Sequence, residues 1–573
     1  MLRRSFWRFP PVVKHLSQEE LPHFDVCVIG GGPAGVSAAL RAVDYGKKVC
    51  LVERSGEIGG CDFWNGALQS KTMWEMSKFM ARSRKMCPKV FQGADASGGL
   101  VLNEEKMRQS LYNAAEFRSL QLKKALLAAE VKLLFGHGTF VDPQSMHVHN
   151  MKTGEYHAVA ADYFIIATGS KPRRHPHYYN NGTTIITSDE IMKQNLPKSI
   201  VIIGAGVIGC EFASILANFG QTQVNIIEKA NRILPMEDDD IAGYEQKLME
   251  AKGVRVHQNS KLFDLQSFTR DDGTEAVHYT IQCNKTKAFN SYEVDRALIS
   301  IGRVPNYKGL GLENTQCKVT DGKLVTDDWG RCKPHDHIYA VGDATMDIAL
   351  VNMGENEARL AIDHIYSPRI IPPANTDNLS TIMFLDEEVA AVGFNEQQLR
   401  QRGAGYLMAR YGYEFVSRAV AMGDTNGFVK LLVSSDNEKR VLGVRALGPH
   451  ASSIAELASL AIHNGQSVYE LSELMTAYPA ITQGFQECVR MLLGRSILKP
   501  NVFESLTLSE WKPELDRGIC YKTGKGSTRT PTLDAAPRCD VVAASDVKDT
   551  SSDSIGVDAA KLQMQEQMAY SES

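Results

Sequence analysis

Two glycine-rich segments in this 573-residue chain have the spacing of phosphate-binding loops. Residues 25–29, DVCVI, are a short β-branched apolar run suited to a buried parallel strand. They lead directly into Gly30-Gly31-Gly32-Pro33-Ala34-Gly35 and then into the helical stretch GVSAALRAVDYG. Gly30 permits the tight turn, Gly32 lets the backbone approach a pyrophosphate, and Gly35 allows close packing of helix on strand. The start of the helix then offers unpaired N–H groups and its dipole to the phosphates. The following strand, KVCLVE, ends at Glu53, about 20 residues on, where a carboxylate can accept hydrogen bonds from a ribose diol.

The same pattern returns at residues 200–228. IVIIGAGVIGCEFASILANFG places Gly204, Gly206 and Gly209 between a strand and a helix, and VNIIE ends at Glu228. One such motif is a weak signal. Two, each with strand, helix and acid in order, point to two bound dinucleotides. One held permanently and one exchanged is how flavin and nicotinamide cofactors are used.

The elements around these loops fit a soluble, multidomain α/β chain. At ~100–200 residues per domain the length suggests three or four domains. A hydrophobic content of 43% is enough for several cores, and a net charge of −4 excludes a generally basic nucleic-acid binder. No stretch of about 18 uncharged apolar residues predicts a membrane span. The eleven cysteines form no C-x-x-C and no Cys/His cluster, so they read as reduced, mostly buried thiols, with no metal site. The opening MLRRSFWRFPPVVKHLSQ is basic, aromatic and free of acid, and resembles a mitochondrial transit peptide over residues 1–23. A mitochondrial matrix location is the expectation, with the cytoplasm as the alternative. Residues 524–556, rich in Ser, Thr, Asp and Ala, predict disorder.

Three further segments, FIIATGS (164–170), ALISIGRVPN (297–306) and IYAVGDA (338–344), resemble in order and spacing the markers of the flavoprotein pyridine nucleotide–disulfide oxidoreductases. The resemblance covers about residues 24–495. It implies an α/β fold with two Rossmann-like domains, for FAD and NAD(P), and a C-terminal α+β dimerisation domain. The implied division is 24–190 and 309–375 for FAD, 191–308 for NAD(P), 376–495 for dimerisation, and a largely disordered extension over 496–573. FAD then falls to Gly30, Gly32, Gly35, Glu53, Gly60, Lys71, Gly138, Thr168, Gly169 and Asp343. Gly204, Gly206, Gly209, Glu228 and Gly302 fall to the nicotinamide dinucleotide. Lys71 and Glu211 match the family's ion pair beneath the flavin ring, and a homodimer is implied.

The redox centre departs from the family. Where its disulfide members carry G-G-T-C-x-x-x-x-C-x-P-S-K, this chain reads Gly59-Gly60-Cys61-Asp62-Phe63-Trp64-Asn65-Gly66-Ala67-Leu68-Gln69-Ser70-Lys71. Asp62 and Ala67 occupy the two cysteine positions, and Cys61 stands one residue early, which on a helix turns it by about 100°. The family's His-Pro-x-x-x-Glu is here Tyr478-Pro479-Ala480-Ile481-Thr482-Gln483. Tyrosine, with an ordinary pKa of about 10, cannot replace imidazole as a neutral-pH base. Four positions needed only for dithiol chemistry are changed together, while the dinucleotide loops are intact.

Within the family the pattern is most similar to the soluble pyridine nucleotide transhydrogenases, which also have Tyr before Pro at the Tyr478 position. The expected activity is therefore an FAD-dependent NAD(P)H oxidoreductase of transhydrogenase or diaphorase type, with Lys71, Glu211 and Tyr478 as candidate catalytic residues and an unidentified electron acceptor. The alternatives are a dihydrolipoamide dehydrogenase and a non-catalytic flavoprotein subunit of a larger assembly. Glu228 favours NAD(H), because a 2′-phosphate would lie against its charge, with NADP(H) left open.

Overall fold

The computed structural model describes residues 21–90, 100–346, 348–514 and 519–520. Most of the leader-like N-terminus (1–20) and most of the C-terminal extension (521–573) lie outside the described residues. The chain divides into two compact units, one of residues 1–64, 115–171 and 304–374, the other of 65–114, 172–303 and 375–573.

The first unit is built on strand His23–Ile29, buried from Val26 to Ile29, as a strand covered on both faces requires. It pairs in parallel with Val49–Glu53 (Val28↔Leu51) and with the end of Tyr156–Ile166 (Val28↔Ile165). Lys132–Phe135 and Ile338–Ala340 extend the parallel part, and a hairpin of His137–Asp142 and Ser145–His149 completes the sheet. Helix Pro33–Asp44 follows the first strand through Gly32 as its N-cap, and Val36, Ala38, Ala39 and Ala42 seat it in one core with Val26, Val28 and Leu51.

The second unit repeats the arrangement. Ser199–Ile203 lies inside a five-stranded, wholly parallel sheet between Gln223–Ile227 (Ile202↔Ile226) and Arg296–Ile299 (Ile202↔Leu298). Helix Val207–Phe219 is buried at every residue from Gly209 onward. A seven-stranded sheet over residues 381–520 carries helices Ala451–His463 and Gln483–Leu492 on a core that includes Leu431, Ile454 and Phe485.

The compact units are drawn differently from the divisions of the sequence reading. Residues 65–114, assigned above to the flavin-binding segment, pack with the second unit, because Met73, Trp74, Met80, Met107 and Leu111 share a core with Phe212 and Leu216. Ordered structure also continues past residue 495: Thr507–Trp511 is a strand paired with Tyr406–Gly412.

A buried ion cluster ties the acidic start of helix Asp239–Ala251 to the C-terminal sheet. Lys430 Nζ lies 2.7 Å from Asp238, 2.6 Å from Asp240 and 3.2 Å from Glu396, with its side chain wholly buried. Nearby, Arg445 Nε meets Glu237 at 3.0 Å. Among the described residues the carboxylates of Asp238, Asp240 and Glu396 form the one group spaced to hold a metal, and that space contains the lysine ammonium.

Candidate functional site

Each glycine loop is shaped by what its backbone touches. Gly30 has φ +111°, and a Cβ there would sit 2.3 Å from the Ala167 carbonyl oxygen. At Gly35 a Cβ would come within 1.9 Å of the Gly30 oxygen, so helix and turn meet only because that atom is absent. Gly32 differs: a Cβ would meet nothing nearer than Gly60 Cα at 3.8 Å. The protein leaves that space open at the start of the helix, where phosphate oxygens would be received by N–H groups. The second loop matches it. Gly209 would clash with the Gly204 oxygen at 2.1 Å, while Gly206 faces open space.

The two terminal acids also match. Glu53 accepts the Gly31 N–H at 2.7 Å on one oxygen and the Ser55 N–H at 2.6 Å on the other. Glu228 accepts the Ala205 N–H at 2.8 Å and the Ala230 N–H at 2.9 Å. Both are buried, each oxygen retains a lone pair for a ribose hydroxyl, and each acid braces the loop that would receive the phosphates.

Beside the first loop lies a cavity of about 70 Å³ lined by Gly30, Glu53, Gly138 and Thr168 together with Arg54, His137, Asn306 and Lys308. The last four were not singled out in the sequence; Asn306 ends the GRVPN marker, and Arg54 adjoins the acid. Thr168 Oγ1 is buried with no partner among the described residues, an acceptor and donor left for a ligand. Gly60 faces Gly32, its Cβ position 2.7 Å from the Gly32 Cα, and Gly169 accepts the Asn306 N–H at 2.9 Å. Asp343, on the Gly342–Ala344 turn, receives the Ser170 hydroxyl at 2.6 Å. An open phosphate cradle, an unpartnered hydroxyl and a ribose-directed carboxylate fit an adenine dinucleotide such as FAD.

In the second unit Lys71 Nζ lies 3.0 and 2.9 Å from the two oxygens of Glu211, which is buried on helix Val207–Phe219. Gly302, with its carbonyl accepting the Arg173 N–H at 2.9 Å, belongs to the same unit. Tyr478 is not part of the ion pair: it is 74% exposed and its hydroxyl donates to Ser417 Oγ at 3.1 Å. Gln483 Oε1 is buried without a hydrogen-bond partner among the described residues.

Around the altered redox segment, Cys61 and Asp62 lie on a short helix, Gly60–Trp64, and Ala67 begins the next, Ala67–Val90. The two positions therefore do not share one continuous helix. Phe63 is buried against Gly59, and the Trp64 indole N–H donates to the Ile58 carbonyl at 3.0 Å, so Phe63 serves packing. Cys61 is half-buried, and every cysteine described with its side chain is a free thiol. Among the described residues no helix is long and apolar enough to cross a membrane.

Two dinucleotide cradles, one per unit, with a lysine–glutamate pair beside the second define a flavin- and nicotinamide-dependent oxidoreductase. The chain belongs to the pyridine nucleotide-disulphide oxidoreductase family, whose model matches residues 24–358, and the family's dimerisation domain matches residues 379–489. It is 30% identical over 481 residues to the dihydrolipoyl dehydrogenase of Zymomonas mobilis, covering 83% of this chain and 99% of that one. It is 28% identical over 485 residues to that of Bacillus subtilis, covering 83% and 99%. Among solved structures it is similar to LpdA of Mycobacterium tuberculosis, with a TM-score of 0.73 at 25% identity, over 82% of this chain and all of the other. The fold is also that of the HOCl-induced flavoprotein disulfide reductase RclA of Escherichia coli, at a TM-score of 0.71 and 22% identity, over 82% of this chain and 99% of that one.

Proposed function

We propose that this chain is an FAD-dependent oxidoreductase that takes reducing equivalents from NAD(P)H and gives them to a second acceptor without a disulfide relay, as a transhydrogenase or diaphorase does. The observation that carries the reading is a contrast: both cradles and the Lys71–Glu211 pair are intact, while Asp62 and Ala67 stand where the family's disulfide members have cysteines.

The roles of the residues follow from their contacts. Gly32 and Gly206 leave room for pyrophosphates at two helix starts, and Glu53 and Glu228 hold the loops while offering lone pairs to ribose hydroxyls. Thr168 and Asp343 supply further polar contacts in the first unit. Lys71 carries a positive charge whose position Glu211 fixes through two bonds. When bound, FAD supplies a two-electron acceptor of hydride.

NAD(H) is the preferred nicotinamide in this reading. Arg232, the nearby cation that could have welcomed a 2′-phosphate, is already used: its guanidinium donates to the carbonyls of Leu234, Pro235 and Glu237 and meets Asp239 at 3.0 Å. The dimerisation domain supports a homodimer. A mitochondrial address for residues 1–23 is part of the proposal.

The second reading, a dihydrolipoyl dehydrogenase, is favoured by the names of the relatives. A coupled assay separates them. Electron transfer from NADH to a nicotinamide analogue or a quinone dye, with dihydrolipoamide turnover at background, is the expected result. Dithiol turnover above background overturns the proposal.

A further inference from the structure

The Lys71–Glu211 pair has a third member outside the dinucleotide motifs. The Phe384 backbone N–H donates to Glu211 Oε1 at 3.0 Å, the oxygen that also meets Lys71. The Phe384 ring lies 5.0 Å from Lys71 Nζ, within the range of an ammonium held over an aromatic face. One residue thus contacts both partners, its amide fixing the carboxylate and its ring the ammonium.

The turn that carries Phe384 is itself fastened at each residue. Trp74 packs edge-on to the Phe384 ring at 5.1 Å and donates its indole N–H to the Leu385 carbonyl at 2.7 Å. The backbone N–H groups of Asp386 and Glu387 both donate to the buried Glu245 carboxylate, at 3.1 and 3.3 Å. Lys78 reaches the Asp386 carbonyl at 2.6 Å and Glu387 Oε2 at 3.0 Å, and Lys252 pairs with the Asp386 carboxylate. Trp74 and Lys78 lie one and two helical turns beyond Lys71 on the same helix. Helix Ala67–Val90 therefore presents Lys71 and anchors the turn that holds Lys71's partner.

We propose that Phe384 is a positioning residue for the Lys71–Glu211 pair, its amide and ring holding the ammonium in a fixed place against Glu211. This rests on the FAD reading above, in which the pair lies by resemblance beneath the flavin ring. An ammonium held there stabilises the negative charge of reduced flavin, so loosening it lowers the flavin's midpoint potential.

The test uses the FAD-loaded protein with Phe384→Leu, which keeps the backbone amide and apolar bulk but removes the ring face, and Phe384→Tyr, which restores the face. Flavin content is measured first, then the midpoint potential by equilibration with reference dyes, then kcat and KM for NADH. Phe384→Leu is expected to retain flavin and to disfavour reduction about three- to ten-fold, at most about 30 mV for a two-electron couple. kcat is expected to fall with KM near its original value, and Phe384→Tyr to recover both readouts. An unchanged potential in Phe384→Leu, or no recovery in Phe384→Tyr, overturns the proposal. Should Phe384→Leu lose flavin, Trp74→Phe decides by the same potential, since it frees the Leu385 carbonyl while leaving an aromatic edge on Phe384. Because the dyes need no NADH, a protein that NADH fails to reduce would sink the NAD(P)H reading while leaving the role of Phe384 measurable.

Discussion

Glu53 and Glu228, 175 residues apart in sequence, make the same pair of hydrogen bonds in two different units. Each accepts the N–H of the second residue of its glycine loop, Gly31 or Ala205, and the N–H two residues beyond itself, Ser55 or Ala230. The acid is thus a brace for the glycine loop, and in the proposed reading a ligand for ribose as well. Removing it costs two charge-assisted bonds, one buried and one partly buried, each worth about 1.5–3 kcal/mol.

The glycines of one loop are expected to fail in different ways. Gly32→Val places its side chain in open space, so the protein should fold but retain little FAD, read as absorbance near 450 nm per chain. Gly35→Ala drives a methyl group into the Gly30 carbonyl and should lower soluble yield and unfolding midpoint. Normal flavin content in Gly32→Val would remove that loop from the flavin site.

NADH should be used in preference to NADPH. A 2′-phosphate about 4 Å from Glu228 at an effective dielectric of ~20 opposes binding by about 4 kcal/mol per unit charge. Solvent screening and the exposed Lys229 reduce this, leaving an expected preference of about ten-fold or more in kcat/KM. Glu228→Ala should narrow the gap, chiefly by improving NADPH, although its loop is left less braced. Faster flavin reduction by NADPH in the unaltered protein would contradict the assignment.

Burial and the neighbouring Asp424 and Asp386 push the Glu387 carboxyl up to about 7, against the opposing pull of Lys78. In the unfolded chain it titrates near 4.5. Between these values the folded protein binds more protons, so stability is expected to fall as pH rises from about 4.5 to 7, by ~3 kcal/mol at most. Glu245, raised by burial and by the neighbouring Asp386 and Glu387, acts in the same direction. Urea midpoints across this range should decline less steeply in Glu387→Gln than in the unaltered protein. Parallel slopes would show that Glu387 titrates normally.

Lys430 is within ion-pair distance of three carboxylates from a wholly buried position. Lys430→Met should therefore cost about 3–5 kcal/mol at neutral pH, because Asp238 and Asp240 lose the ammonium that meets them at 2.7 and 2.6 Å. Lowering the pH should recover part of the loss as those acids take up protons. A substitution costing under about 1 kcal/mol would show that water reaches the cluster.

The glycine loops, their strands and both acids were legible in the sequence because each is a local arrangement within about 25 residues, fixed by which atoms a backbone turn can tolerate. Lys71–Glu211 was reached through family resemblance, since nothing local joins residues 140 apart. Phe384 and Trp74 carried no signal: a phenylalanine in an apolar strand reads as core, and its contacts with Glu211 and Trp74 lie 173 and 310 residues away in sequence. For the same reason residues 65–114 were placed with their sequence neighbours, when Met73, Trp74 and Leu111 share a core with Phe212 and Leu216 inside the second unit. Tyr478 was a candidate only by its alignment with a histidine, and among the described residues its hydroxyl bonds to Ser417.

The central claim, flavin chemistry without a dithiol relay, is tested most directly by anaerobic titration of the purified yellow protein with NADH while recording its visible spectrum. The account expects bleaching complete at about one NADH per FAD, with no long-wavelength band from a thiolate packed on the flavin, since Asp62 and Ala67 provide none. A second equivalent consumed together with such a band would show that Cys61 or another thiol has taken the place of the missing pair, and would contradict it.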